Sequence, residues 1–523
     1  MDDSTGSRPV RHVVVVGGGS AGWLTAGILA ADHLAASPDG LRVTLVESPD
    51  VPVIGVGEGT WPTLRDTLAR IGVDEAAFLR ACDATFKQGS RFLGWRDGAN
   101  NDAYDHPFML PHGYLDADLA HAWGSRHADV PFAERVCPQP LLCRAGKGPK
   151  QFATPAWAGV TNYAYHLDAV KLGAFLREHC TRVLGVRHVL AHIEQVESDP
   201  DGDIAALHTR PHGRLEADLF VDCSGLRALL IGQHYAQPVT ECGNVLCNDR
   251  AMALQVPYAS PDAAIACQTL SSAREAGWVW DIGLTTRRGV GYVYSSAHAS
   301  EDQAEATLRA YIRATGGPDM ASASPVRIRI TPGYRRTPWH RNCVAVGLAS
   351  GFVEPLEASS LVLVELAATA ISDQLPVTRA DMDLLATRFN DTFAWRWERV
   401  VEFLKLHYVL SRREGEYWRD QRHADGIPAR LRELLQLWKH QPPSRYDFPR
   451  NEEVFPSASW QYILYGMGFR PSPRPLRRRS DDVRRAEHLF EESARLVQRM
   501  LAGLPAHRAL VEHARAHGFP VHR

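Results

Sequence analysis

The chain has 523 residues, 45% hydrophobic and 23% charged, which supplies a large core and excludes a disordered or low-complexity scaffold. Fifty-eight basic against 60 acidic side chains give a formal charge of −2, so there is no electrostatic footprint for general nucleic-acid or anionic-membrane binding. No apolar run reaches the roughly 18 residues of a spanning helix, and the acidic start Met1-Asp2-Asp3 is unlike a secretory leader, so a cytoplasmic protein is expected.

Nine cysteines, an odd number with no Cys-x-x-Cys pair, argue against a disulfide framework or a zinc ribbon, and no metal site is expected. Only six lysines (87, 147, 150, 171, 405 and 439) stand beside 52 arginines. Each lysine therefore invites the question why it is not arginine.

In chain order, Val13–Val16 is a β-branched run that ends in Gly17-Gly18-Gly19-Ser20-Ala21-Gly22, and Trp23–Ala30 follows with helical apolar spacing. Val43–Val46 is a second strand, closed by Glu47. Asp218–Asp222 reads as a strand that stops at Ser224-Gly225, and Asn342–Val346 as one that stops at Gly347. The segment from about 356 to 371 reads as a helix, and beyond about 380 the chain is predominantly helical, broken by Pro442, Pro443, Pro456, Pro471, Pro473 and Pro475. Arg477-Arg478-Arg479 reads as a solvated face. The expected organisation is an α/β body over residues 1–375, with inserted substrate-side segments at about 61–165 and 240–335, and a helical cap over 376–523.

Strand, glycine turn, helix and acid-ended strand form the unit in which Gly17-x-Gly19-x-x-Gly22 becomes a credible dinucleotide site. The glycines let backbone approach a pyrophosphate. The helix that starts at Ser20 and Ala21 turns its N–H groups and positive end toward that charge. Glu47 is placed to accept from ribose hydroxyls. The fingerprint occurs once, and a late strand ending at Gly347 returns to the sheet, which favours FAD over NAD.

Phe352-Val353-Glu354-Pro355-Leu356-Glu357-Ala358-Ser359-Ser360 runs into an apolar helix, giving a second anion-friendly helix start with an acid beside it. An ordinary capped helix is the alternative.

Gly17–Trp23 (GGGSAGW), Ile54–Thr60 (IGVGEGT), Phe86–Gly89 (FKQG), Trp278–Ile282 (WVWDI) and Gly347–Ser359 (GLASGFVEPLEAS) occur together, and over about residues 10 to 370 the chain resembles the flavin-dependent tryptophan/indole halogenases. The resemblance implies a Rossmann-like body of the flavoprotein-monooxygenase type. It also implies FADH2 that reacts with O2 to a flavin hydroperoxide, whose attack by chloride or bromide yields hypohalous acid for an aromatic substrate. Lys87 resembles the essential lysine that holds that oxidant, a role suited to a compact, desolvable amine and not to a guanidinium. Glu357 resembles the active-site glutamate, and Ser359 and Ser360 the halide-binding pair, usually Thr-Gly. Leu348 and Leu361 fall at flavin-contacting positions, Val189 at an adenine-side one, and Gly59 where a mobile strap usually has alanine. Trp278 and Trp280 match a Trp-x-Trp-x-Ile-Pro element that keeps substrate from the flavin, except that Gly283 replaces the proline; core packing is the alternative. His106 and Phe108 resemble the substrate-stacking residues. Glu452, Glu453 and Trp460 lie where free tryptophan is clamped in the family, but the tyrosine-rich run is missing, so a simpler indole is expected. A separate NAD(P)H-dependent flavin reductase is implied as partner, and a homodimer stays open. An aromatic monooxygenase and a non-catalytic flavin-binding protein are the rival readings.

Overall fold

The computed structural model of the chain describes residues 9–51, 55, 57–450, 453–472 and 483–520. Ile54 and Val56 of the strap, Glu452, Pro473, Pro475 and Arg477–Arg479 lie outside the described residues.

The valine run forms strand His12–Val16 at the centre of a six-stranded sheet, with every residue buried. Arg42–Glu47 pairs with it in parallel on one side and Leu219–Asp222 on the other, in the register Val16 opposite Val46 and Asp222. Arg187–Leu190 and Cys343–Ala345 extend the parallel sheet outward, and Trp339–His340 closes one edge antiparallel. Near-continuous apolar strands are what a sheet covered on both faces requires. Helix Ser20–Asp32 crosses between the first two strands and packs on helix Ser359–Asp373. This is the α/β body expected from the glycine turn.

The two inserted segments meet in a second sheet of seven strands. Its order is Val326–Arg329, Arg250–Pro257, Arg287–Tyr294, Gly277–Gly283, Thr269–Arg274, Gly89–Leu93 and Ala103–Pro107. All neighbours run antiparallel except Thr269–Arg274 beside Gly89–Leu93. A further short sheet has three strands, in the order Glu58–Gly59, Ala164–Leu167 and Thr85–Lys87. Its last strand is separated from Gly89–Leu93 by Gln88 alone, so Lys87 sits at the junction of both halves.

From residue 379 the structure is helical: Arg379–Val409, Glu416–Gln421, Ala429–Leu437, Ser457–Gly466, Val483–Gly503 and His507–His517. The long first helix buries Trp397, Phe403 and Tyr408 in one apolar cluster with Trp95, Trp278 and Trp418, beneath the seven-stranded sheet. The last helix instead places Leu510, Val511 and Ala514 in the core beside helix Ser20–Asp32. Among the described residues no helix is long and apolar enough to cross a membrane, no cluster of three or more metal-ligating side chains is present, and all nine cysteines are free thiols.

Candidate active site

The glycine turn follows from contacts that only hydrogen allows. Gly17 has φ of 120°, and a Cβ there would stand 2.2 Å from Cys223 O. A Cβ on Gly22 would stand 1.8 Å from Gly17 O. At Gly19 a Cβ would meet nothing within 4 Å, and the helix it caps has no side-chain cap over its first amides, at Ser20 and Ala21. Open space in front of unpaired N–H groups fits a pyrophosphate. Glu47 meets His188 Nε2 through Oε2 at 2.9 Å, and no described side chain donates to its Oε1. Val189 pairs beside Val46, but its side chain is buried with Val14 and Val16. At the other end Gly347 packs on the same helix start, a Cβ there falling 2.9 Å from Ala21 Cβ. Leu348 beside it is 37% exposed, a large apolar side chain open to solvent, whereas Leu361 is buried. These residues fit an extended dinucleotide that runs from Glu47 to Leu348.

Lys87 is wholly buried, and its Nζ has no hydrogen-bond partner among the described residues. It stands 5.3 Å from the centroid of the half-buried Phe108 ring. Burial lowers its pKa from 10.5 to about 8, against the opposing pull of Glu357. Gly59 lies against it: a methyl there would stand 3.2 Å from Lys87 Nζ and 3.3 Å from Thr269 Oγ1.

Glu357 faces the same region from the turn before helix Ser359–Asp373. Glu357 and Ala358 are both left-handed, with φ of 69° and 54°. Such a pair costs about 1–3 kcal/mol per residue and needs neighbours that enforce it. Trp61 supplies one constraint, donating from Nε1 to Glu357 O at 2.8 Å. His106 supplies another, with Nδ1 2.8 Å from Glu357 Oε1. His407 Nε2 lies 3.6 Å from the same oxygen. His407 Nδ1 is 2.7 Å from Tyr104 OH, a phenol whose pKa burial pushes well above its usual value. Burial alone would raise Glu357, but the charge and hydrogen bond of His106, with the charge of Lys87, hold it below the ordinary carboxylate value. Burial pushes His407 down to about 3, so it stays neutral. No described residue donates to Oε2, which is left for chemistry.

The helix that follows has Ala358 at its N-cap and no side-chain cap, so the amides of Ser359 and Ser360 begin it unfilled. Ser359 is buried and Ser360 half-buried. Trp460 stands one ring back from His106: it is fully buried, donates from Nε1 to Phe455 O at 3.1 Å, and meets Phe403 edge-on at 4.9 Å, while Phe403 in turn lies 5.8 Å from His106. Glu453 accepts from Trp395 Nε1 at 3.1 Å. Trp278 and Trp280 point from the central strand of the large sheet into its core, and Trp278 donates from Nε1 to Glu354 Oε2 at 2.7 Å. The same carboxylate takes Asn248 Nδ2 at 2.6 Å and Tyr408 OH at 2.8 Å, and so anchors the loop that carries Glu357. Gly283 continues the strand opposite Arg288 and does not form the turn a proline would make.

Trp61, Glu354, Tyr104 and His407 are the residues that local sequence did not single out. Trp61 directly follows the IGVGEGT run and Glu354 lies within the GLASGFVEPLEAS segment, so both were findable. Nothing around Tyr104 or His407 marks them.

The model of the tryptophan halogenase family matches residues 12–482. A tryptophan halogenase structure from Shewanella frigidimarina NCIMB 400 superposes with a TM-score of 0.94 at 46% identity, covering 98% of this chain and 99% of that one. The flavin-dependent halogenase BrvH from Brevundimonas sp. BAL3 superposes at 0.84 with 35% identity, covering 96% and 99%. Tryptophan 6-halogenase SttH from Streptomyces toxytricini is 35% identical over 493 residues, 89% of this chain and 92% of that protein. A buried lysine near a constrained glutamate, on a chain matched almost end to end, places this protein in the tryptophan halogenase family of flavin-dependent halogenases.

Proposed function

We propose that the protein chlorinates or brominates an electron-rich aromatic, an indole compound, using FADH2, O2 and halide. The observation that carries the reading is Lys87: a buried amine with no hydrogen-bond partner among the described residues, over Phe108, its pKa lowered to about 8 by burial. When bound, FADH2 with O2 and halide supplies the electrophilic halogen as hypohalous acid. Lys87 Nζ holds that halogen against the ring, by hydrogen bond or as an N–halogen bond. The ring's π electrons form the carbon–halogen bond as the oxygen–halogen or nitrogen–halogen bond breaks, and the displaced group keeps the pair. Glu357 Oε2 stabilises the cationic ring and takes its proton, which restores the aromatic system. Ser359 and Ser360 amides offer the halide subsite, and His106 and Phe108 flank the aromatic.

One dinucleotide fingerprint supports a separate NAD(P)H-dependent flavin reductase as the source of FADH2. An indole is favoured over free tryptophan because Glu453 is engaged by Trp395 and Trp460 is packed into core, which leaves the expected amino-acid clamp weak. The deciding experiment supplies FAD, a flavin reductase, NADH and NaCl or NaBr with indoles, tryptophan and phenols, and reads the halogen isotope pattern by mass spectrometry. Hydroxylated product without halogen would favour a monooxygenase. No product with retained FAD binding would favour a flavin-binding protein.

A further inference from the structure

Strand Thr85–Lys87 is the outer edge of its three-stranded sheet, and an edge presents amides that the sheet does not pair. Phe86, immediately before Lys87, is wholly buried, so its outward N–H needs an acceptor. That acceptor is a side chain 421 residues further on: Phe86 N–H donates to His507 Nε2 at 3.2 Å. His507 opens the last helix and is 1% exposed. Its Nδ1 lies 3.1 Å from Ile265 O. A carbonyl only accepts and an amide only donates, so these partners require the proton on Nδ1 and the lone pair on Nε2. Burial pushes the ring's pKa down to about 4, against the Ile265 bond, and so preserves that neutral form.

The start of this helix is tied to the same neighbourhood. His507 N–H donates to Gly146 O at 2.8 Å and Gly148 N–H to Pro505 O at 2.9 Å. Lys147 O, between them, accepts from Gln88 Nε2 at 2.8 Å. Gln88 N–H donates to Cys267 O at 2.8 Å. The residues on either side of Lys87 are therefore held, while Nζ itself has no partner among the described residues. Backbone direction, and not a side-chain bond, decides where the amine stands.

We propose that His507 is a positioning residue for halogenation: by accepting the Phe86 N–H it fixes the backbone from which Lys87 projects. The proposal rests on Lys87 as the halogen-carrying residue. Two variants separate it from a general structural role. In His507→Gln the side-chain oxygen reaches the place of Nε2 and accepts from Phe86. In His507→Asn the amide matches Nδ1, keeps the bond to Ile265 O and leaves the Phe86 N–H without an acceptor. Each variant loses one hydrogen bond, so their Tm values should be alike. Halogenation kcat should stay within about threefold of wild type in His507→Gln, and fall roughly tenfold or more in His507→Asn, because sub-ångström misplacement of a reacting group is costly. KM for the aromatic, FAD affinity and FADH2 reoxidation should be unchanged in both. Wild-type kcat in His507→Asn, or equal losses of kcat, FAD affinity and Tm in both variants, would overturn the proposal. Lys87→Ala is run alongside. If it still halogenates, the lysine reading falls and takes this inference with it. If it is inactive while His507→Asn is fully active, this inference alone fails.

Discussion

Replacing Lys87 by Met should abolish halogenation and yet make the protein more stable. The amine is wholly buried with no hydrogen-bond partner among the described residues, and burial lowers its pKa from 10.5 to about 8, with Glu357 opposing the shift. At about 1.4 kcal/mol for each tenfold change, that interval corresponds to about 3 kcal/mol of disfavoured charge at neutral pH. Methionine keeps a similar unbranched shape and removes the charge, so Lys87→Met should gain roughly 2–3 kcal/mol. In a chain of this length, with an unfolding entropy of about 1.1 kcal/mol/K, that is a Tm rise of about 2–3 °C. The sign with pH follows from the lowered value. Between about pH 8 and 10.5 the unfolded chain holds a proton that the folded protein has lost, so wild-type stability rises with pH across that window. The advantage of Lys87→Met should be full below pH 8 and vanish near pH 10.5. Thermal or urea unfolding near pH 7 and near pH 10, with product read by mass spectrometry, tests both halves. A variant less stable than wild type near pH 7, or one whose advantage persists near pH 10, would refute the buried-charge argument. Halogenated product from it would refute the role of the amine.

Glu357→Gln keeps the shape that meets His106 but loses the charge, so turnover should drop roughly 100-fold while FAD binding stays intact. The same change removes the group that raises the Lys87 pKa, and the acid limb of the residual pH–rate profile should move to lower pH, as read from initial rates. Gly19→Ala places a methyl in open space, so Tm should hold while fluorescence titration shows FAD binding weakened at least about tenfold. Gly17→Ala forces a Cβ to 2.2 Å from Cys223 O at a left-handed φ, so it should lose both FAD binding and stability. Indole should be halogenated at least as well as free tryptophan, at its most electron-rich ring carbon; a strong preference for tryptophan at a benzo-ring carbon would show a working clamp in the 453–466 segment.

The parallel α/β sheet and its glycine turn were legible in the chain because their signals are local. Six consecutive residues, Gly17 to Gly22, form the turn and open its helix, Val13–Val16 and Val43–Val46 are buried strand runs, and Glu47 ends the second one. Lys87 was singled out by the FKQG resemblance in a lysine-poor chain, and Glu357 by its place at the start of an apolar helix. Tertiary structure decided which side chains those residues meet. His106 reaches Glu357 across 251 positions, and His507 reaches Phe86 across 421. Gly59 comes against Lys87 only because both their strands pair with Ala164–Leu167. Trp460 is an aromatic of the expected type, but packing of helix Ser457–Gly466 against Phe403 and Phe448 turned it into core. Trp278 similarly spends its N–H on Glu354. Periods of 2 and 3.6 residues record which face of an element is buried, not which distant element covers it. That pairing is settled by the register of whole sheets and the docking of helices, so it is written in no short stretch of sequence.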